Sequence, residues 1–428
     1  MSKIPQLSTS EVSSILKNSD SVLVDTRPVD SYNGWCFYGE NRAGHIESAR
    51  SLPYKWMQYF DWPEIIANKN ISPQHTIILY GNNLEETEKV AVNFKKSGFQ
   101  NIYIYPFFIS EWCKTDSLPM AKLKRFSQLV SAPWLNCLLT KGNASYYENN
   151  HYVLGHTYYY DKNVYDQGHI PGAVAIDTNT LESPQTWNLR TFDEIKTALE
   201  NYGIDCNTTV ILYGSFSSFN DDDLFPGRNA GHIAAMRCAF AMMYAGVKDI
   251  RILNGGMQAW LDENYPVSKK ESPVNKVPNF GLQSPQHPEI VVDINGAKEI
   301  LQSDNKNLVC VRSWNEYIGE TSGYNYISKK GRIPGAVFAN CGSDAYHMEN
   351  YRNVDYTTRE FHEIESIWAK SGIVPQKHNS FYCGTGWRAS EAFMNAWLMG
   401  WPSISVFDGG WFEWSNDDSN PYETGIPD

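Results

Sequence analysis

This 428-residue sequence lacks three features, and each absence excludes a class of protein. It has no run of about 18 apolar residues, so it predicts no membrane-spanning helix. It has no cluster of lysine or arginine, and its formal net charge of −12 argues against nucleic acid as a partner. Eight cysteines in a chain this large do not indicate a disulfide framework, and because no C-x2-C or H-x3-H pair occurs, the sequence predicts no metal site.

The first ten residues also lack the apolar core of a signal peptide. We therefore expect either a cytoplasmic protein or a mature periplasmic one from which a signal has been removed. No cofactor is predicted.

The sequence does contain one pattern three times over. Each copy has an apolar strand, a turn of the Gly-His-Ile-Pro-Gly-Ala type, a second apolar strand that ends in tyrosine, and a closing segment with tryptophan. The first strand is predicted at 22–27, 158–161 and 308–312, and the turn at 43–49, 167–173 and 330–336. The second strands end at Tyr80, Tyr213 and Tyr382, and the closing tryptophans are Trp112, Trp260 and Trp414.

Helices are predicted between these strands, at 85–97, 192–202, 359–371 and 389–401, the first three followed directly by glycine. Strands that alternate with helices of this length predict an α/β fold, in which each copy is a mainly parallel sheet with helices on both faces. We place the three domains at 1–125, 126–278 and 279–428. In such sheets, reactive groups gather beyond the carboxyl ends of the strands.

One stretch carries the candidate chemistry. From Phe381 to Ser390, a strand ends in Cys383, glycines follow at 384 and 386, and a helix begins. Such a loop points backbone N–H groups and the positive end of a helix dipole at the sulfur, which stabilises a thiolate over a thiol. The same register places Gly81 and Gly214 at this position in the first two copies, so only the third has a nucleophile. The alternative is a buried structural cysteine, and the Gly-Thr-Gly that follows favours the catalytic interpretation.

Together these motifs resemble the rhodanese family, and three copies with Cys-Gly-Thr-Gly-Trp-Arg in the last resemble its three-domain thiosulfate sulfurtransferases of the YnjE type. The resemblance implies that Cys383 takes a sulfane sulfur from a small anionic donor such as thiosulfate, forms a persulfide, and passes the sulfur to cyanide or a thiol. It also implies a persulfide cradle, with a further hydrogen bond from the Thr385 hydroxyl, formed by the backbone of Gly384, Thr385, Gly386, Trp387 and Arg388.

Two arginines are candidates for binding the donor, Arg388 in the loop and Arg312 after the first strand. Arginine can bind such an anion through two parallel hydrogen bonds. The alternative for Arg312 is an ion pair with Glu391 or Asp408 that stabilises the fold. Trp387 is expected to be a pocket wall or a lid over the loop.

Three features depart from the family pattern or from the other copies. Glu316 stands where a second arginine is expected, and a carboxylate there would repel a dianionic donor. Cys310 replaces the strand-end aspartate of the first copy, and it is either a core residue or a second thiol close to the site. The middle copy has an insert at 215–231 that is either a lid over the Cys383 pocket or a solvated acidic loop.

Three other functions stay open. A cysteine phosphatase needs Cys-x5-Arg, and the interval from Cys383 to Arg388 is one residue short. A 3-mercaptopyruvate sulfurtransferase is expected to contain Cys-Gly-Ser-Gly-Val, whereas this sequence has Thr385 and Trp387 at the third and fifth of those positions. A sulfur carrier would deliver the persulfide sulfur only to a docked protein partner, for which the two copies without a nucleophile would supply a surface.

Overall fold

In the computed structural model, which describes residues 3–16, 20–59, 61–215 and 231–427, the chain separates into two units. These are Met1–Ser127 and Gln128–Asp428. The three domain boundaries given above stay a prediction. Across the described ranges, no helix combines the length and the apolar character that crossing a membrane requires.

The first unit contains six strands and four helices among its described residues. The strands are β1 (Ser21–Asp25), β2 (His45–Ile46), β3 (Arg50–Ser51), β4 (Thr76–Tyr80), β5 (Ile102–Ile104) and β6 (Met120–Ala121). The helices are α1 (Thr9–Ile15), α2 (Val29–Asn33), α3 (Trp62–Asn68) and α4 (Leu84–Lys96). Four strands form a sheet in the order β3-β1-β4-β5, and β2 pairs with β6 in an antiparallel arrangement. The sequence sets the start of α4, because the Asn83 side chain accepts hydrogen bonds from the amides of Glu85 and Glu86.

The second unit contains two five-stranded sheets, which we call the middle repeat (β7–β11) and the third repeat (β12–β16). The strands are β7 (Leu129–Val130), β8 (Tyr152–Tyr158), β9 (Val174–Asp177), β10 (Thr209–Tyr213), β11 (Asp249–Leu253), β12 (Val291–Val292), β13 (Lys306–Cys310), β14 (Val337–Phe338), β15 (His378–Tyr382) and β16 (Ile404–Phe407). The helices are α5 (Ala132–Lys141), α6 (Asn163–Gln167), α7 (Phe192–Asn201), α8 (Gly231–Ala245), α9 (Gly256–Asp262), α10 (Ile294–Leu301), α11 (Trp314–Tyr317), α12 (Phe361–Ala369), α13 (Trp387–Met399) and α14 (Gly410–Asn416).

All three sheets have the same strand order. The middle repeat runs β7-β11-β10-β8-β9 and the third β12-β16-β15-β13-β14, so in each the first strand lies at one edge beside the fifth. The first unit follows the same order, with a single parallel bridge between Gln6 and Ile104 in place of its first strand. The described strand pairings within these sheets are parallel. The predicted α/β fold of three tandem, mainly parallel sheets flanked by helices is confirmed.

The repeated sequence motifs make repeated contacts that stabilise the fold. Each closing tryptophan is buried and donates its indole N–H to a proline carbonyl: Trp112 to Pro119 (3.2 Å), Trp260 to Pro266 (2.9 Å) and Trp414 to Pro421 (2.8 Å). The histidine of the Gly-His-Ile turn stacks on a tyrosine in two copies, and arginine takes its place in the third: His45 on Tyr32, His169 on Tyr165 and Arg332 over Tyr317.

The position of the first strand in the middle repeat was predicted at 158–161, and this prediction is wrong. The strand β8 ends at Tyr158, and Tyr160 has a positive φ of 65° and is 76% exposed, so the chain turns there. In the register of the sheets, His156 pairs with Tyr213 as Asp25 pairs with Tyr80 and Cys310 with Tyr382. The residue of the middle repeat that corresponds to Asp25 is therefore His156.

Candidate active site

Cys383 follows the last residue of β15, and the loop after it ends where α13 begins at Trp387. The sequence places a glycine at each strained or crowded point of this loop. Gly386 has a φ of 90°, a left-handed conformation that glycine adopts without steric cost. The loop is fixed from behind, because the carbonyls of Cys383 and Gly384 accept hydrogen bonds from the amides of Trp411 (2.8 Å) and Phe412 (2.9 Å) in α14.

The amides that follow Cys383 are candidate donors to its sulfur. Within residues 231–427, no backbone carbonyl outside the helices accepts from the amides of Gly384, Thr385 or Gly386. Trp387 and Arg388 lie in the first turn of α13, where amides have no partner inside the helix. Five consecutive donors are therefore available beside one sulfur atom, which is the arrangement that stabilises an anion such as a persulfide. That these residues form a persulfide cradle stays a prediction.

The thiol itself is enclosed, since Cys383 is 0% exposed. The ring of Tyr324 lies against the loop so closely that a Cβ built on Gly384 would be 2.3 Å from a ring carbon. Tyr326 stacks on Tyr324 with 5.1 Å between ring centroids, and the Thr385 side chain lies close to Tyr326. Access to the sulfur therefore depends on these two tyrosines, of which Tyr326 is 42% exposed.

The middle repeat completes this cover with two more aromatic rings. Trp187 stacks on Tyr326 with 5.4 Å between centroids, and Tyr159 makes an edge contact with Trp387 at 5.3 Å. We call these five rings, Tyr159, Trp187, Tyr324, Tyr326 and Trp387, the aromatic enclosure. Four of them were missed from the sequence, although the 14% aromatic content and the Gly-Tyr-Asn-Tyr segment at 323–326 are signals that could have indicated them.

Burial also affects the ionisation of one tyrosine of the aromatic enclosure, Tyr324. It raises the pKa of the Tyr324 hydroxyl well above its usual range, so this phenol stays protonated at neutral pH. The hydroxyl donates a hydrogen bond to the carbonyl of Ala345 at 3.3 Å. Burial likewise raises the pKa of the Cys341 thiol, a nearby third-repeat cysteine that the sequence analysis did not single out.

Arg388 forms a buried ion pair with Glu316. Its two terminal nitrogens donate to the two carboxylate oxygens of Glu316, at 2.8 and 2.7 Å, and both side chains are almost fully buried. Burial would raise the pKa of Glu316, but the contact with Arg388 outweighs it and lowers that pKa. The expectation that Glu316 would act as a free, repelling carboxylate is therefore wrong, and Arg388 is not an uncompensated cation for a donor.

Arg312 occupies a position that recurs in the first unit. Its Nη2 donates to the carbonyl of Gly331 at 2.7 Å, as Nη2 of Arg27 donates to Gly44 at 2.8 Å. Its Nε points to the Cys310 sulfur at 3.3 Å, where Arg27 instead binds the carboxylate of Asp25. The suggested ion pair of Arg312 with Glu391 or Asp408 is wrong, because those two carboxylates pair with Arg352 and Arg237.

This comparison predicts that an aspartate is tolerated at position 310. A carboxylate there would accept from Arg312, whose Nη1 has no partner among the described residues, and from the Tyr382 hydroxyl, which also has none. We expect Cys310→Asp to unfold at a urea midpoint no lower than the native chain. The control is Val309→Asp, in the same buried strand, where an unpaired carboxylate should cost several kcal/mol, on the order of 3 or more. Equal destabilisation of both variants would contradict the comparison.

Trp387 is buried against the middle repeat rather than placed as a free lid. Its indole N–H donates to Glu182, with 2.8 and 3.0 Å to the two carboxylate oxygens. Glu182 also binds Arg237, a residue of α8 in the middle repeat.

The proposed lid at 215–231 lies almost wholly outside the described residues. Among the described residues, no cluster of three or more metal-ligating side chains forms.

The geometry is that of a protein that carries sulfur on a cysteine. The chain matches the model of the rhodanese-like domain at residues 8–115, 160–263 and 294–417, and it therefore belongs to the rhodanese-like family. This match, with the cysteine at the strand end of the third repeat, defines a rhodanese-type sulfurtransferase, as the sequence predicted.

Its similarity to individual proteins is extensive. The chain is 38% identical to the thiosulfate sulfurtransferase YnjE of Escherichia coli (strain K12), over 96% of this chain and 90% of that protein. It is 54% identical to the wild-type structure of EanB, with a TM-score of 0.97 over 99% of both chains. Other solved structures of EanB contain hercynine, or ergothioneine covalently linked to a persulfide cysteine; the latter has a TM-score of 0.98 at 53% identity and full coverage of both chains.

Proposed function

We propose that this protein transfers the outer sulfur of a Cys383 persulfide to hercynine, the trimethylated betaine of histidine, and so forms ergothioneine. The observation that carries the proposal is the aromatic enclosure over Cys383. Aromatic faces attract a quaternary ammonium group by up to about 2 kcal/mol when water is excluded. The enclosure therefore favours an acceptor that has a trimethylammonium group over cyanide, which has none.

The intervals between residues support the same acceptor. EanB structures with hercynine or ergothioneine include variants of a tyrosine 59 residues before the persulfide cysteine, a threonine two residues after it, and cysteines 73 and 42 residues before it. Tyr324, Thr385, Cys310 and Cys341 stand at those intervals from Cys383. These four residues of this chain therefore have the same types at the same spacing.

The transfer step balances without an oxidant or a metal. The C2–H bond of the imidazole and the S–S bond of the persulfide break, and a C2–S bond and the S–H bond of Cys383 form. The sulfane sulfur is reduced as C2 is oxidised, and the product is the thiol tautomer of ergothioneine's thione. The free loop amides stabilise the persulfide anion. The Tyr324 ring packs against the loop at Gly384, and the Arg388–Glu316 pair fixes the first turn of α13.

The second candidate function is the transfer of sulfur from thiosulfate to cyanide or a thiol. The similarity to YnjE favours thiosulfate as the donor that loads Cys383, with cyanide or a thiol as the acceptor. Because Glu316 neutralises Arg388, the site offers a dianion little net positive charge. A sulfur-carrier role is supported by 29% identity to the sulfur carrier protein TtuD of Thermus thermophilus, over 59% of this chain and 84% of that protein. Thr385 and Trp387 argue against the 3-mercaptopyruvate alternative.

The test is product formation with matched acceptors. Purified protein is incubated with thiosulfate or inorganic polysulfide, and then with hercynine, histidine or cyanide, and products are measured by mass spectrometry. We expect ergothioneine from hercynine, and a kcat/KM for histidine lower by about tenfold or more, because histidine lacks the trimethylammonium group. Thiocyanate from cyanide with no ergothioneine from any donor would overturn the proposal in favour of the second candidate.

The enclosure makes a further prediction about Trp187. Trp187→Leu should raise the KM for hercynine by about tenfold and leave loading of Cys383 with sulfur unchanged, since the indole contacts the acceptor and not the donor sulfur. The matched control is Trp314→Leu, which removes a 40% exposed tryptophan of the same unit that contacts only Tyr317 and Phe338 among aromatic rings of the described chain. An equal effect of the two variants on KM would contradict a role for Trp187 in binding the acceptor.

A further inference from the structure

The middle repeat is tied to the Cys383 loop by one buried arginine. Arg237, in α8, is 1% exposed. Its Nε donates to Glu182 at 2.8 Å and its Nη2 donates to the backbone carbonyl of Trp187 at 2.7 Å, both in the middle repeat. The same Nη2 lies 2.7 Å from Asp408, which belongs to the third repeat. A single guanidinium therefore joins two carboxylates and a carbonyl across the two repeats.

Each partner of Arg237 also holds a part of the active site. Glu182 accepts from the indole of Trp387, which opens α13 directly after the loop. Asp408 accepts from the amide of Leu189 at 2.6 Å, so the segment 182–189 is fixed to the third repeat near both of its ends. Trp187 lies inside that segment with a φ of 65°, a conformation that tryptophan rarely adopts and that persists only where its surroundings enforce it.

Arg237 also faces the loop itself. Its Nη1 has no hydrogen-bond partner among the described residues, and it would lie 3.0 Å from a Cβ built on Gly386. A side chain at Gly386 would therefore displace the arginine. Gly386, in its left-handed conformation, and the guanidinium of Arg237 therefore pack against each other where the loop ends and α13 begins.

From this geometry we infer that Arg237, with Glu182 and Asp408, is a positioning group that sets Trp187 and Trp387 around the acceptor. The inference rests on the proposed function, since it assigns these rings to the acceptor. The middle repeat, which has Gly214 in place of a nucleophile, then supplies one wall of the third repeat's site. The contacts of the three charged side chains are with Trp187, Leu189, Trp387 and one another, so the network should affect acceptor binding and not persulfide formation.

The charges of the network predict a pH dependence. Burial raises the pKa of Glu182 to about 7, and Arg237 and the Trp387 indole only partly oppose it. The charge of Asp408 also disfavours the ionised form of Glu182. Tyr159 and Cys238 face Glu182 as well, but burial raises the pKa of both, so they are neutral near pH 7. The ionised form is therefore lost as the pH falls through about 7, and with it the ion pair to Arg237. Acceptor binding should weaken over that range on the acid side.

The test uses Glu182→Gln, which keeps the shape and one acceptor oxygen for the indole but removes the charge, and Arg237→Lys as a second variant. We expect the KM for hercynine to rise by about tenfold, its pH dependence near neutrality to flatten in Glu182→Gln, and the rate of sulfur loading on Cys383 to change by less than about twofold. The affinity for hercynine, measured by calorimetry in the Cys383→Ser background, should fall by the same factor as KM rises. Arg251→Met is the matched control, because Arg251 is a buried middle-repeat arginine paired with Asp249 away from the site.

Two results would overturn the inference. One is an unchanged KM and pH profile in both variants while the native protein transfers sulfur to hercynine. The other is an equal loss of loading and transfer in Glu182→Gln, which would make the network a requirement of the fold alone. Failure of the proposed function gives a different result, since the native protein itself would then form no ergothioneine and bind no hercynine.

Discussion

Replacing Cys383 with serine is expected to give a folded protein that neither acquires sulfur nor transfers it. Serine keeps the size of the side chain, so the buried loop and its contacts to α14 should persist. The hydroxyl is neither ionised at neutral pH nor able to accept a sulfane sulfur, because the reactive species is a thiolate. Turnover should therefore fall by roughly 10⁴-fold or more, the scale seen when a covalent nucleophile is removed.

Intact mass after incubation with the sulfur donor measures this directly. The native chain should gain about 32 Da per persulfide sulfur and lose it again when the acceptor is added. Cys206→Ser is the matched control, since Cys206 is also buried but lies in the middle repeat away from the loop. A gain of mass by the Cys383→Ser protein that the acceptor then removes would place the sulfur on another cysteine and refute the assigned nucleophile.

The second large effect is expected from the ion pair of Arg388 with Glu316. Arg388→Met should lower the free energy of unfolding by about 3–5 kcal/mol, because it leaves a fully buried carboxylate without its partner. The double variant, Arg388→Met with Glu316→Gln, should recover most of this loss. Glutamine still accepts hydrogen bonds from the amide and hydroxyl of Ser313, as Glu316 does, and carries no charge that needs compensation.

Urea unfolding followed by tryptophan fluorescence compares these two variants with the native chain. Lys89→Met provides the control, since Lys89 forms an exposed ion pair with Glu85 whose loss should cost no more than about 0.5 kcal/mol. If the double variant were less stable than Arg388→Met alone, the single loss could not be attributed to an unpaired charge. The pair would then stabilise the fold through packing.

The neighbourhood of Cys383 could be predicted from ten residues because its geometry is local. An apolar run that meets a cysteine and two glycines has few alternatives to a strand, a loop and a helix, and β15 and α13 fall there. The helix starts at Trp387, two residues before the predicted start. The repeats could be aligned for the same reason, since each motif that recurs in the sequence makes a contact that recurs in the structure.

The contacts that shape the acceptor site could not be predicted in this way. Glu182 and Trp387 are 205 residues apart, and no local pattern in either segment indicates the other. Glu316 was interpreted by its charge alone, but its effect depends on Arg388, which reaches it only after folding. The misplaced strand of the middle repeat has a similar origin, because three consecutive tyrosines at 158–160 suit a strand by propensity while the sheet ends at the first of them.

The close approach of Tyr324 to Gly384 limits how this protein can evolve. Even a methyl group at position 384 would occupy the volume that the phenol ring fills, although the backbone there has no need of a glycine. Mutational drift at this position is therefore blocked by a neighbour sixty residues upstream until that neighbour changes. A descendant with a wider entrance to the sulfur would first need a smaller side chain at position 324. Only then could a residue larger than glycine fit at position 384.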